Sequence, residues 1–189
     1  DRTGYILGKG SDPRPELIKT AVGLESMGAD FLVMPCNTAH YFLEDIKKSI
    51  GIPVLDMVEA TVEEAYKNFE DGLIGLLATE GTVRTGIYLN RFNKFGLTLV
   101  LPDKDDQDKV MNFIYGIKSG DMNRGLDAFK GVVESMADKG IKTVIMGCTE
   151  LSAALDYFTF DSRINYLDPH TIIARKALIE AGCVIQIGR

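Results

Sequence analysis

Short unbroken apolar runs alternate along this chain with stretches whose apolar positions recur at helical spacing. "ELIKTAVGLESMG" has the helical period and stops at Gly28, "DFLVM" reads as a strand, "YFLEDIKKSIG" as a helix ending at Gly51, "IPVLD" as a short strand and "VEATVEEAYKNF" as an amphipathic helix. The alternation resumes with the strand "LIGLLA", a helix through "TGIYLNRFNKFG" and the strand "LTLVLP". Helices near 107–117 and from Arg124 to Lys139, the strand "KTVIM", a helix after Cys148, the strand "INYLD" and a last helix "HTIIARKALIEAG" complete the pattern. Alternating strands and helices predict an α/β fold with mostly parallel sheets covered by helices, in which ligands sit beyond the carboxyl ends of the strands.

One internal repeat stands out. "GADFLVMPCNTAH" and "GIKTVIMGCTEL" share a helix-closing glycine, an apolar strand, a methionine and a cysteine in one register. Gly28 and Gly140, Met34 and Met146, and Cys36 and Cys148 are each 112 residues apart. Three coincidences in register imply two related α/β lobes, each offering a cysteine at the end of a strand and just ahead of a helix. A thiol placed there lies near unpaired backbone N–H groups and the positive end of a helix dipole, which predicts a lowered pKa. A lone cysteine so placed reads as a small buried hydrophobe. The polar neighbours Asn37 and Thr38, and Thr149 and Glu150, suit helix capping or a small anionic ligand instead. Two thiols facing one cleft from pseudo-symmetric lobes suit the inversion of a stereocentre. One group removes a proton from one face of a carbon while the other returns a proton to the opposite face.

Composition narrows the field. With 189 residues, 46% of them hydrophobic and 25% charged, the chain can fill one large core or two small ones. A formal charge of −6 with scattered Lys and Arg speaks against nucleic acid as a partner. No apolar run approaches the ~20 residues of a membrane span, so a soluble, cytoplasmic protein is expected. The three cysteines at 36, 148 and 183 make neither a disulfide framework nor a zinc signature. No dinucleotide fingerprint occurs, and "DKDDQD" at 103–108 reads as a solvated loop.

The paired motifs "MPCNTAH" and "MGCTEL" resemble those of the cofactor-independent aspartate/glutamate racemases. The combination of "CNTAH" with "GCTE" is more like the aspartate enzymes. "DRT" at Asp1–Thr3, "SDPRP" at Ser11–Pro15, "ATEGTVRTGIY" at Ala78–Tyr88 and "DPHTIIARKAL" at Asp168–Leu178 extend the likeness along the whole chain. The resemblance implies two pseudo-symmetric Rossmann-like lobes with the active site at their interface, residues 1–58 plus 166–189 forming the first and 59–165 the second. It also implies a strand and a glycine-rich turn ahead of "DRT", so that an N-terminal segment is expected to be missing.

By the same resemblance Cys36 and Cys148 are the two acid/base residues, needing no cofactor or metal. Asn37, Thr38 and Thr149 hold the substrate α-carboxylate, with Thr79 and Thr82 lining the same cleft. Arg2 and Lys118 serve the side-chain carboxylate, Glu150 lies near the second cysteine, and the protein is a homodimer. Arg2 and Lys118 read equally as exposed cations, and Thr79 and Thr82 as helix caps. His40 reads as tuning the site or as a packed histidine, His170 as a residue near a helix start and Cys183 as structural, in a last helix-to-strand turn. The function expected is racemisation of aspartate, or else glutamate. The alternatives are diacid isomerisation or decarboxylation, hydantoin racemisation, or thiol-based ligand binding and redox sensing without turnover.

Overall fold

In a computed structural model, residues 1–68 and 73–184 are described. The end of the amphipathic helix at Phe69 and the strand implied after Cys183 lie outside them. The chain begins with α1 (Arg2–Ile6) and α2 (Arg14–Ser26), then β1 (Leu32–Val33), a 3-10 turn at Thr38–Phe42, α3 (Leu43–Lys47), β2 (Val54–Leu55) and α4 (Met57–Asn68). There follow β3 (Leu73–Ala78), α5 (Glu80–Thr85), α6 (Ile87–Lys94), β4 (Thr98–Val100), α7 (Lys104–Lys118) and α8 (Leu126–Asp138). β5 (Thr143–Gly147), α9 (Thr149–Tyr157), β6 (Asn165–Leu167) and α10 (Pro169–Glu180) complete it.

β1 and β2 pair in parallel, Leu32 opposite Val54. The larger sheet is also parallel, in the order β4-β3-β5-β6, with β3 and β5 at its centre in the register Ile74 opposite Thr143 to Ala78 opposite Gly147. Helices cover both faces of these central strands, so Ile74, Leu76, Leu77, Val144, Ile145 and Met146 are buried whichever way they point. That is why both runs are unbroken rather than alternating. Each such side chain contributes about 1.5–3 kcal/mol through burial. A cluster around Phe113, Phe129, Val132 and Met146 fills one side of the sheet, and one around Val62, Ile74, Leu76 and Phe92 fills the other.

The smaller sheet has its own apolar cluster, Ala21, Leu32, Leu43, Ile46 and Val54. α10 packs on α4 and touches both sheets, with Ile173 buried against Leu55 and Met57. Gly28 and Gly140, the repeated glycines, both end helices at positive φ, 93° and 80°, a conformation in which a Cβ would be strained.

Three expectations change. "TGIYLNRFNKFG" is not one helix, because Gly86 at φ 64° ends α5 and starts α6. The acidic run is not a loop. Asp103 caps α7 by accepting from the Asp106 amide, and Asp105 and Asp106 sit in its first turn, where the helix dipole favours negative charge. "YFLEDIKKSIG" divides between the 3-10 turn and the five-residue α3. Among the described residues no helix is long and apolar enough to cross a membrane.

Candidate active site

β5 delivers the second cysteine. The strand ends at Gly147, and Cys148 follows in extended conformation as the N-cap position of α9. Its thiol donates a 2.8 Å hydrogen bond to Glu150 Oε2, which also accepts from Thr149 Oγ1 at 2.8 Å. The other carboxylate oxygen accepts from Lys118 Nζ, at the end of α7, at 2.8 Å. Burial, and then the charge of Glu150, push the Cys148 thiol well above the ordinary range. Burial acts to raise Glu150 too, but the bonds from Cys148, Lys118 and Thr149 outweigh it and hold the carboxyl down at about 2. The sequence placed Cys148 correctly at a helix start, yet the lowered pKa expected from the dipole does not follow. Desolvation and an adjacent carboxylate both oppose the thiolate more strongly.

Cys36 lies in the turn after β1. Its amide donates to Met34 O at 2.8 Å, and its half-buried sulfur accepts from Arg2 Nη2 at 3.4 Å. No α-helix opens here: the 3-10 turn follows, so the two cysteines are alike in sequence but not in helix geometry. His40, on that turn, supports the loop from behind. Its Nε2 accepts the Met57 amide N–H at 3.1 Å, so Nδ1 carries the proton and donates to Cys36 O at 2.9 Å. Burial lowers the His40 pKa, which leaves the ring neutral. Asp56, anchored by Arg91, stands 3.9 Å from the ring.

Both cysteines line one cavity of about 280 Å³, together with Asp1, Arg2, Thr3, Asn37, Thr38, Thr79, Tyr115, Lys118, Gly147, Thr149 and Glu150. Of the sequence-predicted residues, Thr82 alone is absent from this wall. It sits one layer back, in a ring of three hydroxyls: Thr38 to Thr79 at 3.0 Å, Thr38 to Thr82 at 2.8 Å and Thr79 to Thr82 at 3.1 Å. Thr79 is also the cap of α5, accepting from the Thr82 amide at 3.3 Å, so the capping and cleft-lining readings both hold for it. α1 comes close to α5 at Gly81, where a side chain would collide with Thr3. That approach brings Arg2 to the cavity.

His170 lies near the start of α10, as expected, and its ring reaches Ser152 Oγ at 3.0 Å and Pro35 O at 3.4 Å. Ser152 in turn donates to Asp168. Cys183 is exposed. Sequence reasoning missed Tyr115, which lines the cavity, and Tyr88, whose hydroxyl bonds Asn37 Oδ1 at 2.6 Å. Tyr88 stood inside a quoted motif, but nothing local marks its partner.

A sequence profile of the Asp/Glu/Hydantoin racemases matches residues 6–177. The chain is 29% identical over 162 residues to the broad specificity amino-acid racemase RacX of Bacillus subtilis, covering 86% of this chain and 69% of that one. It is 32% identical over 129 residues to the glutamate racemase of Persephonella marina, covering 67% of this chain but 48% of that enzyme. The chain thus spans about half the length of that glutamate racemase. Picrophilus torridus aspartate racemase has the same fold, with a TM-score of 0.85 at 24% identity over 98% of this chain and 77% of that structure.

Proposed function

This chain belongs to the Asp/Glu/Hydantoin racemase family, and we propose that it inverts the α-carbon of an acidic amino acid, aspartate first and glutamate as the alternative, by proton transfer between two cysteines without a cofactor. The observation that carries this reading is the shared cavity in which one sulfur accepts a hydrogen bond and the other donates one. Cys36, accepting from Arg2, is the resting base. Its thiolate takes the Cα proton, and the Cys148 S–H delivers a proton to the opposite face. The products are the other enantiomer, a Cys36 thiol and a Cys148 thiolate. Racemisation in the reverse direction restores the first state. Lys118, bonded to Glu150, offsets the second negative charge that appears beside Glu150 when Cys148 gives up its proton.

A cavity of about 280 Å³ suits a small amino acid, being at or below the ~300–1,000 Å³ of ordinary ligand pockets. Asn37, Thr38 and Thr149 hold the α-carboxylate in this reading, with Thr79 beside them on the wall and Thr82 one layer back. Arg2 and Lys118, on the wall of the same cavity, serve the side-chain carboxylate from where they stand in this reading. The separate apolar clusters around Phe113 and around Leu32 support two lobes, but β6 pairs with β5 in the larger sheet and Val58 and Leu167 share its core, so the bounds 1–58 plus 166–189 and 59–165 do not follow the sheets. Family resemblance supports a cytoplasmic homodimer. The deciding experiment incubates L-aspartate with the protein in deuterium oxide and follows both optical activity and deuterium at Cα. Loss of rotation with deuterium incorporation is expected. Unchanged rotation and no deuterium, with either aspartate or glutamate, would sink the reading.

A further inference from the structure

Asn37 is 3% exposed and lines the cavity, yet its side-chain Nδ2 has no hydrogen-bond partner. A buried amide N–H2 left unpaired is unfavourable, so its orientation needs a cause. Tyr88 supplies one. The Tyr88 hydroxyl, on α6 and 1% exposed, stands 2.6 Å from Asn37 Oδ1. That distance lies within the range of O–H···O bonds and below that of N–H···O bonds, which identifies the amide atom facing Tyr88 as the oxygen. Turning the amide over would put Nδ2 against the phenol oxygen at 2.6 Å, closer than an N–H···O bond allows. Burial keeps the phenol protonated and therefore a donor.

We propose that Tyr88 is a positioning residue for the reaction: it occupies the acceptor of Asn37 and leaves the Asn37 N–H2 as a preset donor for a carboxylate oxygen of the substrate. This rests on the racemase reading above. The neighbouring hydroxyls differ in this respect. Thr38 and Thr79 bond each other and Thr82, and Thr149 donates to Glu150, whereas the Asn37 donor is uncommitted. An Asn that shows only its N–H2 favours an anionic oxygen over the substrate ammonium, so Tyr88 contributes to the direction in which the amino acid lies. Tyr88 is not among the cavity-lining residues, and its effect passes through Asn37.

A double-mutant cycle on the intact chain tests this, with racemisation of L-aspartate and its equilibrium binding as readouts. Tyr88→Phe keeps the ring and removes the hydroxyl. It is expected to raise KM and Kd about 10-fold while kcat stays within about 3-fold. In an Asn37→Ala background the same change is expected to alter KM less than about 2-fold, because the group through which Tyr88 acts is gone. Asn37→Asp, which replaces the unpaired N–H2 donor by an acceptor, should weaken binding more than Asn37→Ala. An unchanged KM in Tyr88→Phe, an equal rise in both backgrounds or wild-type binding by Asn37→Asp overturns the inference alone. An unmodified chain that neither exchanges the Cα proton nor binds L-aspartate overturns the racemase reading and this inference with it.

Discussion

Cys148 and Glu150 are joined by a 2.8 Å hydrogen bond in which the sulfur is the donor, so the second cysteine rests as a thiol. Cys36, by contrast, is half-buried and accepts from Arg2. Because the thiolate is the nucleophile, iodoacetamide near pH 7.5 should modify Cys36 at least about 10-fold faster than Cys148, as read by peptide mass mapping that counts the exposed Cys183 separately. Glu150→Gln removes the carboxylate that disfavours the Cys148 thiolate, and should accelerate labelling at Cys148. Faster labelling of Cys148 than Cys36 in the unmodified protein would contradict this assignment.

Two acid/base groups acting on opposite faces are both needed for inversion. Cys36→Ala and Cys148→Ala should each lower the racemisation rate by about 10²–10⁴-fold, followed by circular dichroism. Cys36 is half-buried, and Cys148→Ala removes one buried sulfur from its core cluster, so melting temperatures should fall by only a few degrees. A variant that racemises normally would remove its cysteine from the mechanism.

His40 links the Cys36 carbonyl to the Met57 amide. His40→Asn can keep the first bond but not the second, and should cost roughly 1–3 kcal/mol in urea unfolding at pH 7.5. The folded protein binds a proton at His40 less readily than the unfolded chain, whose value is near 6.5. Stability contributed by neutral His40 is therefore present above 6.5 and declines as pH falls below it. The gap between wild type and variant should narrow in acid. A gap that widens in acid would contradict a buried, neutral His40.

Gly81 admits α1 to the cavity. A Cβ there would lie 3.0 Å from Thr3 Oγ1 and 3.1 Å from Thr3 Cα, and no side-chain rotation moves a Cα. Gly81→Ala should shift α1 by a few tenths of an ångström and carry Arg2 with it, lowering kcat/KM about 10-fold or more with a modest loss of melting temperature. Wild-type kcat/KM would separate Arg2 from the reaction.

The cysteine pair was legible because duplication writes the same strand and the same turn twice, and a fixed offset of 112 residues survives without any knowledge of packing. β3 and β5 were legible because burial on two faces leaves no polar position to interrupt the run. The 3-10 turn after Cys36 was not, since "YFLEDIKKSIG" has apolar spacing that either helical form satisfies. α1 is five residues long, too short to display a period. The charge state of Cys148 was not legible, because a sequence shows the helix start but not the burial and carboxylate that outweigh it. The bond from Tyr88 to Asn37 spans 51 residues, and no local pattern encodes it.

The cycle formed by Thr38, Thr79 and Thr82 has a property that no single pair possesses. With each oxygen giving one hydrogen and taking one, the arrows can run clockwise or anticlockwise, and both senses keep the same number of bonds. A guest oxygen that accepts from one of these hydroxyls takes its hydrogen out of the cycle and leaves two hydrogens to be shared among three oxygens. Thr38 follows the small sheet and Thr82 lies on a helix of the large one. The hydroxyl cycle therefore ties the turn after the small sheet to a helix of the large one through hydrogens that can be redistributed.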